Sequence, residues 1–272
     1  TQLVGSLIAI FAMLLPPVTA TTSSKALAAR ATKVTAEVLL SITQYYCGSS
    51  KTLQINVYNS QLERSRADMD GMSTDLNSSW WEFFDWGTAG VVRNLMNDKF
   101  KLLKDIQRRM VVMQTCVLRE DFGDSHRIAM QDMKDPMMKV VKKVNECILT
   151  CTLCTADGNF SQEEVSKIEK QGTDIRAALV ELSSTWRNVR GDVKHALSTQ
   201  MRAEGFFLVE LSTVGRMVAD FTEEITVTEK RPKPKPLGWD AIKATISPEK
   251  LKKPDFRNFV LRNWISLMLA WW

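Results

Sequence analysis

Four segments of this chain repeat apolar residues at intervals of three and four, and that periodicity constrains the fold more than any other feature. Leu27, Ala31, Val34, Val38, Ile42 and Tyr45 step along one helix face. Leu103, Ile106, Met110, Met113 and Val117 do the same, as do Ile175, Ala178, Leu182, Trp186 and Val189, and then Phe207, Leu211, Val214, Val218 and Phe221. Stripes of this kind leave water only by packing against one another, so residues 23–229 are expected to form an all-α helical bundle. Period-two patterning is confined to a weak stretch, Leu53–Val57.

Breaks in the helical pattern are expected at Cys47-Gly48-Ser49-Ser50, near Gly71, at Gly87–Gly90, at Phe122-Gly123-Asp124, at Ala156–Asn159 and around Gly191. Ser161 followed by Glu164 three residues later reads as a capping box opening the next helix. The alternation Arg231-Pro232-Lys233-Pro234-Lys235-Pro236 cannot be helix interior and predicts an extended tether.

Both ends of the sequence are greasy. Residues 1–24 carry no charge, and Leu3–Leu15 is strongly apolar before Pro16-Pro17 ends the helical pattern. Fifteen helical residues reach about 22 Å, short of the roughly 30 Å of a bilayer core. At the other end, Asn263–Trp272 is uncharged and finishes on Ala-Trp-Trp. The expectation is a chain divided into the end of a truncated transmembrane helix (1–22), a cytoplasmic helical domain (23–229), a basic Pro/Lys-rich linker (230–258) and the start of a further transmembrane helix (259–272). The rival for the N-terminal run is the remnant of a signal peptide, with Val18-Thr19-Ala20 as its cleavage site. The chain would then be a secreted or lumenal helical binding protein, glycosylated at Asn77-Ser78-Ser79 and Asn159-Phe160-Ser161.

Charge sets the orientation. Lys230 to Arg262 holds ten basic and three acidic residues, a local +7 in a chain whose net charge is only +5. A basic strip beside an apolar run belongs on the cytoplasmic face, and Lys25, Arg30 and Lys33 repeat that signal after the first run. Lys252, Lys253, Arg257, Arg262 and Trp264 are therefore the expected membrane-interface anchors, with the lipid bilayer as partner. The Lys-Pro run lacks interleaved aromatics and any binding motif, so no nucleic-acid partner is expected.

Chemistry-bearing motifs are sparse. The chain has no G-x-G, no G-x-S-x-G and no H-E-x-x-H, so the dinucleotide fingerprint, the P-loop, the nucleophile elbow and the zincin helix are excluded. The two histidines, His126 and His195, have no ligand or nucleophile pattern around them and read as structural. Cys147-x-x-x-Cys151-x-x-Cys154 has the spacing of an iron–sulfur enzyme motif, but the same spacing puts three small apolar side chains on one helix face, which is the preferred reading. An odd total of five cysteines suits a reducing compartment. Asp157-Gly158-Asn159-Phe160-Ser161-x-x-Glu164 imitates half an EF-hand, yet Leu153 and Thr155 stand where carboxylates are needed. Trp80-Trp81-Glu82-Phe83-Phe84-Asp85-Trp86 reads as an interhelix corner, with a membrane-interface or partner contact as its rival. No catalytic residue, metal or cofactor is expected.

The segment Phe206-Phe207-Leu208-Val209-Glu210-Leu211 through Phe221-Thr222-Glu223-Glu224, with Arg257 and Leu261-Arg262-Asn263-Trp264, resembles the fusaric-acid-resistance-like superfamily. That superfamily includes the aromatic acid exporters and the aluminium-activated malate transporters. The resemblance implies a multi-pass membrane transporter or channel exporting organic anions, including aromatic ones, with the helical domain joining two membrane blocks of the same chain. It implies the plasma membrane as location, and a role for the domain in gating or in assembly, a homo-oligomer included. The family's permeation residues lie in membrane helices, so none is carried over.

Overall fold

The computed structural model describes residues 20–48, 55–78, 88–119, 122–154, 161–192 and 199–229. They form six long helices: α1 (Ala20–Tyr46), α2 (Ile55–Ser78), α3 (Thr88–Arg119), α4 (Asp124–Cys154), α5 (Gln162–Asp192) and α6 (Thr199–Glu229). No strand occurs among the described residues, so the all-α expectation holds, and Ile55–Val57 of the weak alternating stretch starts α2. At 31 residues, a helix such as α4 is about 46 Å long.

Helix boundaries follow local chemistry. Gly48 takes a φ of +69° just past α1, and the Cys47 and Gly48 N–H groups donate to the Thr43 and Tyr45 carbonyls at 2.9 and 3.0 Å. Only glycine adopts that backbone without strain, so the helix stops there. The capping box is realised: the Ser161 N–H donates to Glu164 Oε2 at 2.8 Å, and the Glu164 N–H to Ser161 Oγ at 3.2 Å. The break expected near Gly71 does not occur. Gly71 sits inside α2, where a Cβ would lie 3.2 Å from the Leu27 side chain, so the missing side chain serves close packing against α1. Pro136 is likewise inside α4; tertiary packing of a buried helix outweighs a local penalty of about 3 kcal/mol.

Cross-helix contacts fix the directions. Arg30 pairs with Asp68 and Thr35 with Ser65, so α1 and α2 are antiparallel. Gln107 of α3 reaches Thr35, while Ala28 shares a cluster with Met96 and Ala31 with Leu103; α3 therefore runs parallel to α1. His126, Asn145 and Thr152 of α4 meet Tyr46, Ala36 and Thr32, an antiparallel order. Lys139 with Glu181 and Lys143 with Asp174 reverse α5 against α4, and the approach of Gly172 to Thr222 and of Leu179 to Gly215 reverses α6 against α5. Three up helices alternate with three down helices, and Ala20 and Glu229 consequently lie at the same end of the bundle.

Helices α1, α3, α6 and α4 form a four-membered ring; α2 lies along the α1–α3 side and α5 along the α4–α6 side. The core runs through the ring and includes the expected α3 stripe from Leu103 to Val117 and the α6 stripe from Phe207 to Phe221. On α5, Ile175, Ala178, Leu182 and Val189 are buried and Trp186 is half-buried. At the end opposite Ala20, Tyr46 stacks on Phe207 with centroids 3.8 Å apart, and His126 and Phe122 meet it edge-on. His126 Nε2 is 2.9 Å from the Tyr46 carbonyl, tying α4 to the end of α1. Helix α1 buries more than its apolar stripe: Ser24, Thr32, Thr35 and Thr43 are all inside.

Candidate functional site

Those buried hydroxyls seat the least ordinary side chain in the bundle, Lys99 of α3. It lies one helical step of four before Leu103 and two before Gln107, so all three face α1 and are buried. Lys99 is only 2% exposed. Its Nζ donates to Thr152 Oγ1 at 2.5 Å. Thr152 Oγ1 in turn lies 2.7 Å from the Ile148 carbonyl and 3.2 Å from Thr32 Oγ1, and the Thr32 hydroxyl donates to the Ala28 carbonyl at 2.6 Å. Hydroxyls solvate the amine, but no carboxylate pairs with it among the described residues. Burial therefore pulls the Lys99 ammonium down to about 7, opposed weakly by the Cys151 thiol nearby. A lysine so placed is a proton acceptor near neutrality rather than a fixed cation.

Two helical turns further along α3, Gln107 closes a second polar cluster. Its Nε2 donates to Ser65 Oγ at 2.7 Å and reaches Thr35 Oγ1 at 3.4 Å, and the Ser65 hydroxyl donates to the Ala31 carbonyl at 3.2 Å. Gln107 Oε1 is buried with no partner. Gln107 also lines a cleft of about 280 Å³ between α2 and α3, bounded by Arg66, Met69, Asp70, Phe100, Lys104 and Arg108. Arg108 is tied back to Asp105 at 2.9 Å, and Lys104 Nζ sits 5.6 Å from the Phe100 ring centre. The cleft can bind by charge and hydrogen bonding; it holds no nucleophile–base pair.

The three-cysteine motif falls within the continuous helix α4. Cys147 and Cys151 are buried on successive turns with their Sγ atoms 4.0 Å apart. The shared hydrogen bond with Cys147, followed by burial, holds the Cys151 thiol well above its ordinary range, which opposes the thiolate that a metal ligand requires. Among the described residues no group of three His, Cys, Asp or Glu could hold a metal ion. His126 has the structural place expected for it. Lys252, Lys253, Arg257, Arg262 and Trp264 lie outside the described residues, as do His195, the Trp80–Trp86 cluster, residues 155–160 of the half EF-hand and both apolar runs. No helix among the described residues is long and apolar enough to cross a membrane.

Within the motif that carries the family resemblance, Phe207 and Leu211 are core, and Glu210, 8% exposed, receives Arg109 of α3 at 3.1 Å from Oε2. Phe206 and Val209 face outward. Sequence reasoning missed Lys99 and Gln107 because the α3 stripe was counted on apolar residues alone; extending it one step of four back from Leu103 finds Lys99 on the core face. Comparison of the chain with protein-family models, with curated proteins and with solved structures finds no match.

Proposed function

We propose that residues 20–229 are the cytoplasmic helical domain of a multi-pass membrane transporter or channel for organic anions, aromatic ones included, and that the domain joins two membrane blocks. The observation that carries the reading is the return of the chain: six alternating helices bring Ala20 and Glu229 to one end of the bundle. In sequence the uncharged run precedes Ala20 and the basic strip with its apolar run follows Glu229, so both attach to the domain at that end. A single membrane face then serves both. The buried thiols Cys47, Cys147 and Cys151, which form no disulfide, suit a reducing compartment. The substrate class is drawn from the family resemblance of the α6 segment.

Flotation with liposomes containing anionic lipid tests the membrane arm. The chain should rise with the vesicles, and acyl-chain bromination should quench its tryptophans, because Trp264, Trp271 and Trp272 lie in the C-terminal apolar run. A chain that stays monomeric at the bottom of the gradient, unquenched, refutes it. Efflux of labelled benzoate from cells expressing the protein tests the substrate arm, and efflux equal to that of empty cells refutes that part.

A further inference from the structure

We propose that the α2–α3 cleft is a binding site for a free amino acid with an apolar side chain. The site stands independently of the membrane reading, since every lining residue belongs to the bundle.

The cleft presents three chemistries. Asp70 on α2 is an anionic acceptor; Arg66 on α2 and Lys104 on α3 are cationic donors; Met69 and Phe100 are apolar. Gln107 forms the floor of the cleft. The side chain is 2% exposed, and its Nε2 is held by Ser65 and Thr35. Arg108, the third cation of the rim, is held by Asp105 and adds little charge to the site.

A simple anion would answer Arg66 and Lys104 but leave Asp70 unanswered. A simple amine would do the reverse. An α-amino acid supplies an ammonium for Asp70, a carboxylate for Arg66 and Lys104, and a side chain for Phe100 and Met69. A volume of about 280 Å³ lies just below the usual range of ligand pockets and suits one amino acid rather than a peptide or dinucleotide.

Isothermal titration of the full chain with L-phenylalanine, hydrocinnamate (no ammonium) and phenethylamine (no carboxylate) separates the alternatives. L-phenylalanine should bind, and each analogue should bind at least about tenfold more weakly, as befits one lost charge-assisted contact. Asp70→Asn should weaken L-phenylalanine and phenethylamine but spare hydrocinnamate. Lys104→Gln should weaken L-phenylalanine and hydrocinnamate but spare phenethylamine. Both side chains are on the exposed surface, and unchanged helical circular dichroism confirms that the variants fold. No heat with L-phenylalanine at about 10 mM, hydrocinnamate binding as tightly as L-phenylalanine, or variants that bind L-phenylalanine like the parent would each overturn the proposal.

Discussion

Replacing Lys99 by methionine should stabilise the bundle, and by an amount that depends on pH. In the unfolded chain the ammonium titrates at its ordinary 10.5, whereas in the folded chain burial brings it to about 7. Below pH 7 both states hold the proton, and the folded state bears the full cost of a buried ammonium, on the order of 5 kcal/mol from 1.36 kcal/mol per pH unit. Between pH 7 and 10.5 the unfolded chain holds a proton that the folded chain has released. Stability of the parent therefore rises with pH across this window, and the cost fades toward 10.5. Lys99→Met keeps the unbranched stem in the pocket and removes the charge, while Thr152 retains its bond to the Ile148 carbonyl. The variant should be more stable than the parent by about 5 kcal/mol at pH 6, narrowing to about 2 kcal/mol at pH 9. Urea unfolding of both proteins, followed by helical circular dichroism over that range, measures the difference directly, and other titrating groups cancel. A difference that stays flat from pH 6 to pH 9, or a variant less stable than the parent at pH 6, refutes the account of Lys99 as a proton acceptor without a counter-charge.

Two further substitutions probe the helix contacts. A Cβ at Gly172 would collide with the Thr222 hydroxyl across the α5–α6 contact, whereas one at Gly205 meets nothing within 4 Å. Gly172→Ala should therefore cost about 1–3 kcal/mol through overpacking, and Gly205→Ala should gain up to about 1 kcal/mol from helix propensity; thermal denaturation of the pair decides, and equal effects contradict the close approach of α5 to α6. Ser161→Ala removes the side-chain half of the capping box and should cost about 1 kcal/mol, with hydrogen exchange rising first at the Glu164 amide that loses its acceptor.

The bundle is legible in the sequence along most of its apolar stripes. The stripes of α3 and α6 lie in the core residue for residue, and that of α5 does so except for half-buried Trp186. Helix α1 is less legible: Leu27, Val34 and Tyr45 of its stripe are only half-buried, while Thr32, Thr35 and Thr43, which an apolar count passes over, are inside. Gly71 was misread for a related reason: glycine signals a break in an isolated helix, but here it marks where α1 and α2 close in on each other. The polar interior was the least legible part. Lys99, Thr152 and Thr32 come from three helices separated by more than fifty residues, and nothing local to any of them announces the others. The Cys147–Cys151 pair shows the converse, a conspicuous motif that the helix turns into core packing.

The even number of helices among the described residues has a mechanical consequence. With Ala20 and Glu229 at one pole, and α1 and α6 on opposite corners of the ring, a force that separates the two tails peels the helices apart from that pole, contact by contact. It does not shear them along their length, where every contact would have to yield together. The fold is thus soft toward spreading of its two attachments.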